Sequence, residues 1–438
     1  MIAQIAFVLL LATASFFIIK RFQFVKRNIL LGRDVQLAGE PSQRWSTMIR
    51  VALGQGKMFT RPFAAVMHLI LYAGFIIINI EVLEILIDGL FGTHRVFAGI
   101  GGLYTFLIAT FEVLALLVLV ACVVFLVRRN AGSIKRFTMP ELKGWPQNDA
   151  NLILITEILL MTAFLTMNAC DYQLNQIIIK DASHTYVSDA AFPISSIWSG
   201  VLEGSSQNAL HLIERFCWWF HIIGILAFIV YLSYSKHLHI ILAFPNTYYS
   251  KLQAPGTLNN LQSVTNEVKL MLDPSAQVPP PPDGPQRFGA KDVNDLSWVN
   301  LMNAYSCTEC GRCTSECPAN QTGKLLSPRK IMMDTRDRLE EVGRSMDASG
   351  GEWKEDGKSL LRDYITEEEL WACTSCNACT EACPININPL DIIIDLRRYL
   401  IMEESKSPES ITVMFNNIEN NGAPWAMSAM DRDQWRNN

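Results

Sequence analysis

Five long apolar runs limit what the first half of this 438-residue chain can fold into. A helix that crosses the hydrocarbon core of a bilayer needs about 20 apolar residues, and every run is close to that length or longer. The runs cover residues 2–19, 62–87, 101–127, 152–170 and 210–244. We therefore expect a five-helix transmembrane bundle over residues 1–245.

The distribution of lysine and arginine predicts the orientation of these helices. Residues 20–61 hold nine Lys/Arg and residues 128–150 hold five, whereas the loop around His94 holds Arg95 alone. Loops rich in these residues stay on the cytoplasmic side. No positive charge precedes the first run, which favours an anchor over a cleaved signal peptide. The pattern predicts a multi-pass protein of the bacterial inner membrane, with its N-terminus outside and residues after 244 in the cytoplasm.

Two histidines lie at matching depths in the second and fifth predicted helices. His68 is six residues after Pro62, and His239 is six residues before Pro245. At 1.5 Å per residue, both lie about 9 Å from the cytoplasmic helix ends. Facing helices that each offer a histidine at one depth could hold a b-type haem by both axial positions. The alternative is that each histidine only hydrogen-bonds a neighbouring helix.

Two further histidines bear on this haem site. His237 competes with His239, but two residues turn a helix by about 200°, so only one of them can face the bundle. His221 precedes His239 by 18 residues, about five turns, which puts both on one face and favours His239 as the ligand. His221 lies at the outer level, where the second helix offers Glu81 and Glu84 and no histidine. One haem is predicted, and the outer residues form a quinone pocket, a proton path or a packed structural cluster.

Eight cysteines form two matched runs in the polar half of the chain. The sequence is CTECGRCTSECP from Cys307 and CTSCNACTEACP from Cys373. This Cys-x2-Cys-x2-Cys-x3-Cys-Pro spacing ligates two [4Fe–4S] clusters, and the fourth cysteine of each run ligates the other cluster. Zinc is the alternative, but its sites use two separated cysteine pairs. The predicted ligand sets are Cys307, Cys310, Cys313 and Cys383 for one cluster, and Cys373, Cys376, Cys379 and Cys317 for the other.

The segments around the cysteine runs are helical in pattern. These are SPRKIMMDTRDRLEEV between the runs and NPLDIIIDLRRYLIMEE after them. They predict an α-helical ferredoxin-like dicluster domain over residues 288–405, and an all-α fold for the chain. Residues 246–287 include VPPPPDGP, which is typical of a stiff proline-rich linker. Residues 406–438 form the predicted C-terminal tail.

The cysteine segments resemble a known family. FGAKDVNDLSWVNLMNAYSCTECGRCTSECPA and LWACTSCNACTEACPININPLDIIIDLRRYL are similar to the dicluster domain of heterodisulfide reductase-related iron–sulfur oxidoreductases. FHIIGILAFIVYLSYSKHLHI resembles the cytochrome b (gamma) membrane subunit of respiratory nitrate reductase. That subunit has two histidines on its second helix and holds two haems, whereas this chain keeps His68 alone. The resemblance implies one inner haem, held by His68 and His239.

The end of the chain carries a further resemblance. NNIENNGAPWAMSAMDRDQW is similar to the link that leads into cysteine-rich CCG domains in longer relatives, but the sequence stops at Asn438. We therefore expect the terminal chemistry on a separate soluble CCG-domain protein that docks on residues 406–438. The net charge of −5 argues against nucleic acid as the main partner.

These observations predict an electron-transfer subunit of a menaquinone-linked membrane oxidoreductase complex. Electrons would pass between the substrate quinone in the bilayer, the b haem, the two clusters and the soluble partner, and the chain would have no substrate-converting domain of its own. Two alternatives stay open. One is a self-sufficient quinone reductase fed by a diffusible ferredoxin or flavoprotein, and the other is a membrane redox sensor that signals through cluster loss.

Overall fold

The computed structural model describes residues 1–132, 134–178, 187–280 and 287–437. These residues form helices joined by turns and no β-strand, so the predicted all-α fold is confirmed for them. The chain divides into two compact units. The first unit consists of Met1–Lys26 and Ile49–Phe244, and the second of Arg27–Met48 and Pro245–Asn438.

Five long helices dominate the first unit, as predicted. Each is apolar enough and long enough to cross a membrane. Pro62 occupies the first turn of the second helix, where its missing N–H costs no hydrogen bond. Gly92 ends that helix in a left-handed conformation, with φ of 73°. The bounds of the five helices are Ile2–Ile29, Pro62–Phe91, Gly102–Asn130, Trp145–Ile178 and Gln207–Leu232.

Glycines bring these helices close together. A Cβ on Gly74 would lie 2.5 Å from Val118 Cγ2 on the third helix. A Cβ on Gly224 would lie 2.6 Å from Leu160 Cδ2 on the fourth helix. Small residues at such positions let membrane helices approach and gain van der Waals contact, since lipid supplies no hydrophobic driving force between them.

The fifth predicted run, residues 210–244, is not one helix. The helix Gln207–Leu232 ends there, and a 3-10 turn, Lys236–Leu238, separates it from the helix His239–Tyr248. Ser235 caps the turn by accepting a hydrogen bond from the His237 backbone N–H at 3.2 Å. Lys236 Nζ donates to the Pro146 carbonyl oxygen at 2.6 Å. Because the helix is interrupted, the five-turn register that put His221 and His239 on one face is wrong.

The second unit contains the two helices predicted around the cysteine runs, Pro328–Ala348 and Pro389–Met402. Ser327 and Asn388 cap them, and a proline follows each cap at the first helical position. Its further helices and helical turns include Pro41–Met48, Gln262–Leu272, Trp298–Ser306, Arg312–Glu316, Pro318–Gln321, Glu367–Trp371, Ala378–Ala382 and Glu409–Asn421.

A buried ion-pair network holds the second unit together. Arg338 is fully buried, and its Nη1 lies 2.6 Å from Asp356 Oδ2. Asp292 accepts from Arg338 Nη2 at 2.7 Å and from the Leu360 backbone N–H at 3.0 Å. The network therefore ties two separate stretches of the chain, around residue 292 and over residues 356–360, to the helix Pro328–Ala348.

The predicted linker, residues 246–287, is only partly described. Residues 281–286, which include most of the VPPPPDGP segment, lie outside the described residues. At the start of the predicted linker, Asn246 is fully buried and its Nδ2 donates to the Ile385 carbonyl oxygen at 2.7 Å. These first linker residues thus pack within the second unit.

Candidate iron–sulfur centre

The two cysteine runs fold in the same way. Each places its first three cysteines around a loop that enters a short helix, Arg312–Glu316 in the first run and Ala378–Ala382 in the second. The backbone is left-handed at equivalent positions of the two loops, with φ of 54° at Glu309 and 57° at Ser375. The residues that precede the short helices are also left-handed, with φ of 70° at Gly311 and 61° at Asn377. Glycine and asparagine are the residues that adopt this conformation most readily.

The runs lie side by side within the second unit. The short helices Arg312–Glu316 and Ala378–Ala382 pack against each other. Cys317 and Cys383 follow these helices, both in extended conformation, and each precedes a proline. Each fourth cysteine therefore leaves its own short helix, and thiols of the opposite run are among its neighbours.

Thiols of the first run have Cys383, the fourth cysteine of the second run, as a neighbour. Burial raises the pKa of the Cys307 thiol to about 12, and Cys310 and Cys383 are among the neighbours that raise it further. Burial also raises the pKa of Cys313 well above its usual value, and the neighbours Cys310, Cys307 and Cys383, followed by Cys379, add to this. A thiolate at these positions needs a nearby cation.

The second run has the reciprocal arrangement. Burial raises the pKa of the Cys379 thiol to about 12, and Cys373 and Cys317 act in the same direction. The pKa of Cys373 is raised by burial first, with Cys317 and Cys376 among its other causes. The fourth cysteine of each run thus lies near thiols of the other run.

The spacing of the thiols fits a cluster better than a single ion. Among the described residues, which include all eight cysteines, no three thiols lie within 4.8 Å of one another. Four thiolates bound to one zinc ion at about 2.3 Å would lie about 3.8 Å apart. A cubane places four iron atoms inside its ring of cysteines and holds them farther apart. The donor set and its spacing therefore suit [4Fe–4S] clusters.

The two thiol groups differ in exposure. Cys307, Cys317 and Cys383 are buried, Cys373 is half-buried, and Cys376 is exposed. Cys310 and Cys313 of the first loop are half-buried, so the second loop is the one with a fully exposed cysteine.

Each loop also has an arginine beside it that sequence reasoning missed. Arg336 Nη1 lies 2.8 Å from Glu309 Oε1 at the first loop. Arg397 donates from Nη2 to the Cys373 carbonyl oxygen at 2.6 Å at the second loop. Both arginines come from helices that follow the runs in sequence, so only the tertiary fold reveals the contact.

A histidine cluster lies in the first unit. The rings of His237 and His239 have centroids 5.3 Å apart. Burial lowers the pKa of His239 to about 4, and the neighbouring His68 contributes to this shift. His68 also contributes to the lowered pKa of His237. His68 therefore lies near both candidates for its partner, and burial favours the neutral, iron-binding form of His237 and His239.

Hydrogen bonding distinguishes His239 from His237. His239 Nδ1 lies 3.1 Å from the Lys236 carbonyl oxygen, so its other nitrogen, Nε2, is the one presented to a ligand. The Nδ1 of His237 is buried and has no hydrogen-bond partner among the described residues. A ring oriented by a hydrogen bond at Nδ1 suits axial ligation better than one without such a bond.

His221 belongs to a different place in the first unit. It is 2 % exposed, its Nδ1 lies 3.1 Å from the Leu160 carbonyl oxygen, and its ring centroid is 6.0 Å from that of Phe164. It is not among the neighbours that shift the pKa of His237 or His239. As predicted for a residue of the outer level, it lies apart from the two predicted haem ligands, His68 and His239.

The outer acidic residues join a buried network around Arg95. Arg95 Nη2 lies 2.6 Å from Asp171 Oδ2, and the hydroxyl of Tyr104 donates to Glu84 Oε2 at 2.8 Å. Glu81 is 4 % exposed, and its Oε2 has no hydrogen-bond partner among the described residues. Arg95, the single basic residue of the His94 loop, is therefore the centre of this network. Its isolated positive charge in that loop is the sequence signal that could have indicated its role.

Comparisons with known proteins agree with the cysteine geometry. Residues 306–387 match the protein family described as "4Fe-4S dicluster domain". Over 109 residues, the chain is 33% identical to one component of the ferredoxin/F(420)H(2)-dependent CoB-CoM heterodisulfide reductase of Methanosarcina acetivorans, covering 25% of this chain and 53% of that protein.

Two longer relatives match along most of the chain. "Probable iron-sulfur-binding oxidoreductase FadF" of Bacillus subtilis is 28% identical, covering 93% of this chain and 57% of that protein. "EtfAB:quinone oxidoreductase" of Syntrophomonas wolfei is 25% identical, covering 98% of this chain and 59% of that protein. The chain thus spans less than two thirds of the length of either relative. No solved structure matches it. The chain is similar to iron–sulfur oxidoreductases and carries a 4Fe-4S dicluster domain.

Proposed function

We propose that this chain is the membrane electron-transfer subunit of a quinone-linked oxidoreductase complex. The observation that carries the proposal is the combination, in one chain, of five membrane-length helices with two four-cysteine runs, the fourth cysteine of each lying near thiols of the other. The names of two relatives, an iron–sulfur oxidoreductase and a quinone oxidoreductase, support the same class of activity.

The thiols are proposed to hold two [4Fe–4S] clusters, which act as one-electron carriers when bound. Three cysteines of each loop supply three ligands, and the fourth comes from the other run. The neighbours that raise the thiol pKa values support these sets. The ligands are Cys307, Cys310, Cys313 and Cys383 for one cluster, and Cys373, Cys376, Cys379 and Cys317 for the other.

His68 and His239 are proposed as the axial ligands of one b haem in the first unit. Their shared surroundings and the orientation of the His239 ring by the Lys236 carbonyl oxygen support this pair. The protein's part is to present two neutral imidazoles in an apolar bundle. His221 is not a ligand in this proposal, and menaquinone is the proposed quinone.

A soluble partner is proposed to exchange electrons at the second cysteine loop. Cys376 is the exposed cysteine of that loop. A docked partner can bring its own cofactor close to a cluster only where the cysteines that hold the cluster are accessible. The segment after the helix Glu409–Asn421 is proposed to dock that partner, a protein carrying CCG domains. Its tryptophans, Trp425 and Trp435, are 57% and 76% exposed, and exposed tryptophans are frequent anchors of interfaces. The second unit would then face the cytoplasm of a bacterial cell, as the loop charges predict.

The proposal is tested on the full chain purified anaerobically from membranes. We expect about eight iron and eight acid-labile sulfide per chain, a b-type pyridine haemochrome, and reduction of the clusters by a menaquinol analogue, followed by EPR. Cys376→Ser should remove one cluster, whereas Cys122→Ala, a buried cysteine of the third membrane helix, should remove none. Zinc without iron in the wild-type protein would refute the proposal.

A further inference from the structure

Arg397 is held against the backbone of the second cysteine loop. It lies in the helix Pro389–Met402, and its Nε donates to the Leu370 carbonyl oxygen at 3.1 Å. Its Nη2 donates to the carbonyl oxygens of Leu370 and Cys373, at 2.5 and 2.6 Å. The guanidinium carbon lies 5.0 Å from the ring centroid of Trp371, a distance at which a cation is attracted to an aromatic face. Four contacts therefore fix this cation at the first cysteine of the run.

No carboxylate of the described residues forms an ion pair with Arg397. Within the part of the chain that the structure describes, no aspartate or glutamate oxygen lies within 4.0 Å of its nitrogens. Burial lowers the pKa of Arg397, and the neighbouring Cys373 acts in the opposite direction. Its bonds to neutral carbonyls leave the positive charge available to whatever the Cys373 loop binds.

The first loop differs at the equivalent position. There Arg336 forms an ion pair with Glu309, with Nη1 and Oε1 2.8 Å apart. Glu309 is the third residue of the first run, and the third residue of the second run is Ser375. The two residues have nearly the same φ, 54° and 57°, so the loops match in backbone conformation and differ in charge. A neutral serine stands where the first loop has a carboxylate to neutralise its arginine.

We propose that Arg397 sets the reduction potential of the cluster at the Cys373 loop by stabilising its reduced form. Reduction adds one negative charge to a cluster, and a fixed cation close by in a partly buried site favours that charge. Removing the cation therefore lowers the potential of this one cluster. The proposal rests on the proposed function, because it requires the two clusters to be bound.

The test is a redox titration of the full-length protein, purified anaerobically and followed by EPR. Arg397→Gln should lower one of the two midpoint potentials and leave the other in place. Arg397→Lys keeps the charge and should stay close to the wild type. The matched control is Arg398→Gln, since Arg398 is the next residue of the same helix and already forms an ion pair with Asp395 at 3.0 Å. It removes the same formal charge and should move neither potential.

A second variant keeps the test decisive if Arg397→Gln does not assemble its cluster. Ser375→Glu places a carboxylate where the first loop has Glu309 and leaves Arg397 intact, and it should lower the same potential. The inference is overturned if a fully iron-loaded Arg397→Gln or Ser375→Glu protein keeps both potentials. Equal shifts in Arg397→Gln and Arg397→Lys would also overturn it. The hydrogen bonds of the guanidinium group, and not its charge, would then set the potential. Absence of iron from the wild type would instead refute the proposed function.

Discussion

The fully buried guanidinium of Arg338 donates from Nη2 to Asp292 Oδ2 at 2.7 Å, across 46 residues of sequence. Asp356 pairs with the same guanidinium, and this contact lowers the pKa of the Asp356 carboxyl to about 2. Removing one partner of a buried ion pair leaves an uncompensated charge, which costs about 3–5 kcal/mol. We expect Arg338→Met to destabilise the second unit by about that amount.

The measurement is thermal loss of the cluster absorbance in the intact, anaerobic protein. Arg344→Met is the matched control, since Arg344 lies on the same helix, is 69% exposed and is 4.0 Å from Glu340. Surface changes of this kind stay within about 0.5 kcal/mol. Equal melting temperatures for the two variants would show that the network adds nothing to stability.

Gly289 provides a second test of packing in the second unit. Its φ is 75°, and a Cβ there would overlap the Asp395 carbonyl oxygen, which accepts a hydrogen bond from the Ala290 N–H at 2.9 Å. Gly289→Ala should therefore cost more than the left-handed backbone alone, which is about 1–2 kcal/mol. Gly256 has φ of 89°, and a Cβ added there would meet nothing within 4 Å, so Gly256→Ala isolates the backbone cost. Melting temperatures that fall equally in both variants would contradict the close approach.

The crossed ligand sets predict which cysteine variants resemble each other. Cys383→Ser should give the same EPR spectrum and iron content as Cys313→Ser, although Cys383 belongs to the other run. Both should retain the cluster that Cys376→Ser removes, with about four iron per chain. If Cys383→Ser instead resembles Cys376→Ser, each run ligates its own cluster and the crossed assignment is wrong.

The proposed haem ligands predict which of three histidine substitutions remove the haem. His68→Ala and His239→Ala should abolish the low-spin b-type spectrum, whereas His237→Ala should largely preserve it, because only His239 is oriented by a hydrogen bond to Lys236. Optical spectra and the pyridine haemochrome assay of purified protein measure this. Loss of haem in His237→Ala with retention in His239→Ala would reverse the assignment.

The C-terminal tail, residues 406–438, should be needed for assembly with the soluble partner. Deleting the residues after Ser410 should leave the iron content unchanged and release the soluble partner, since it removes Trp425 and Trp435. The double change of those tryptophans to alanine should weaken co-purification in the same direction. Trp353→Ala is the control, because Trp353 is 38% exposed elsewhere in the second unit. Full recovery of the soluble partner with the truncated chain would show that the tail does not dock it.

The sequence predicted elements whose signals are local. Length and apolar composition determine the five membrane helices, and the cysteine spacing, with a proline after each run, determines the repeated loops. The helices Pro328–Ala348 and Pro389–Met402 begin at Ser-Pro and Asn-Pro pairs that mark helix starts. These features need no knowledge of distant residues.

The features that were missed depend on distant residues. The break after Leu232 lies inside the run 210–244 that was predicted as one helix, and it is stabilised by Asp149, whose Oδ2 accepts from Ser235 Oγ at 3.2 Å, 86 residues away. Residues 27–48 belong to the second unit, where Asn28 Nδ2 donates to the Tyr305 hydroxyl at 2.9 Å. Arg397 likewise reaches the second loop only through the fold. No local pattern indicates any of these contacts.

The break after Leu232 also bears on membrane insertion. A translocon partitions a nascent segment according to the residues within the helix, and a charge at the helix centre costs about 2.5–3.5 kcal/mol. Because the helix Gln207–Leu232 ends before Lys236, both His237 and His239 lie outside the segment that must partition into lipid. Substitutions at these histidines can therefore test the proposed haem ligation without altering the topology with which the chain is inserted.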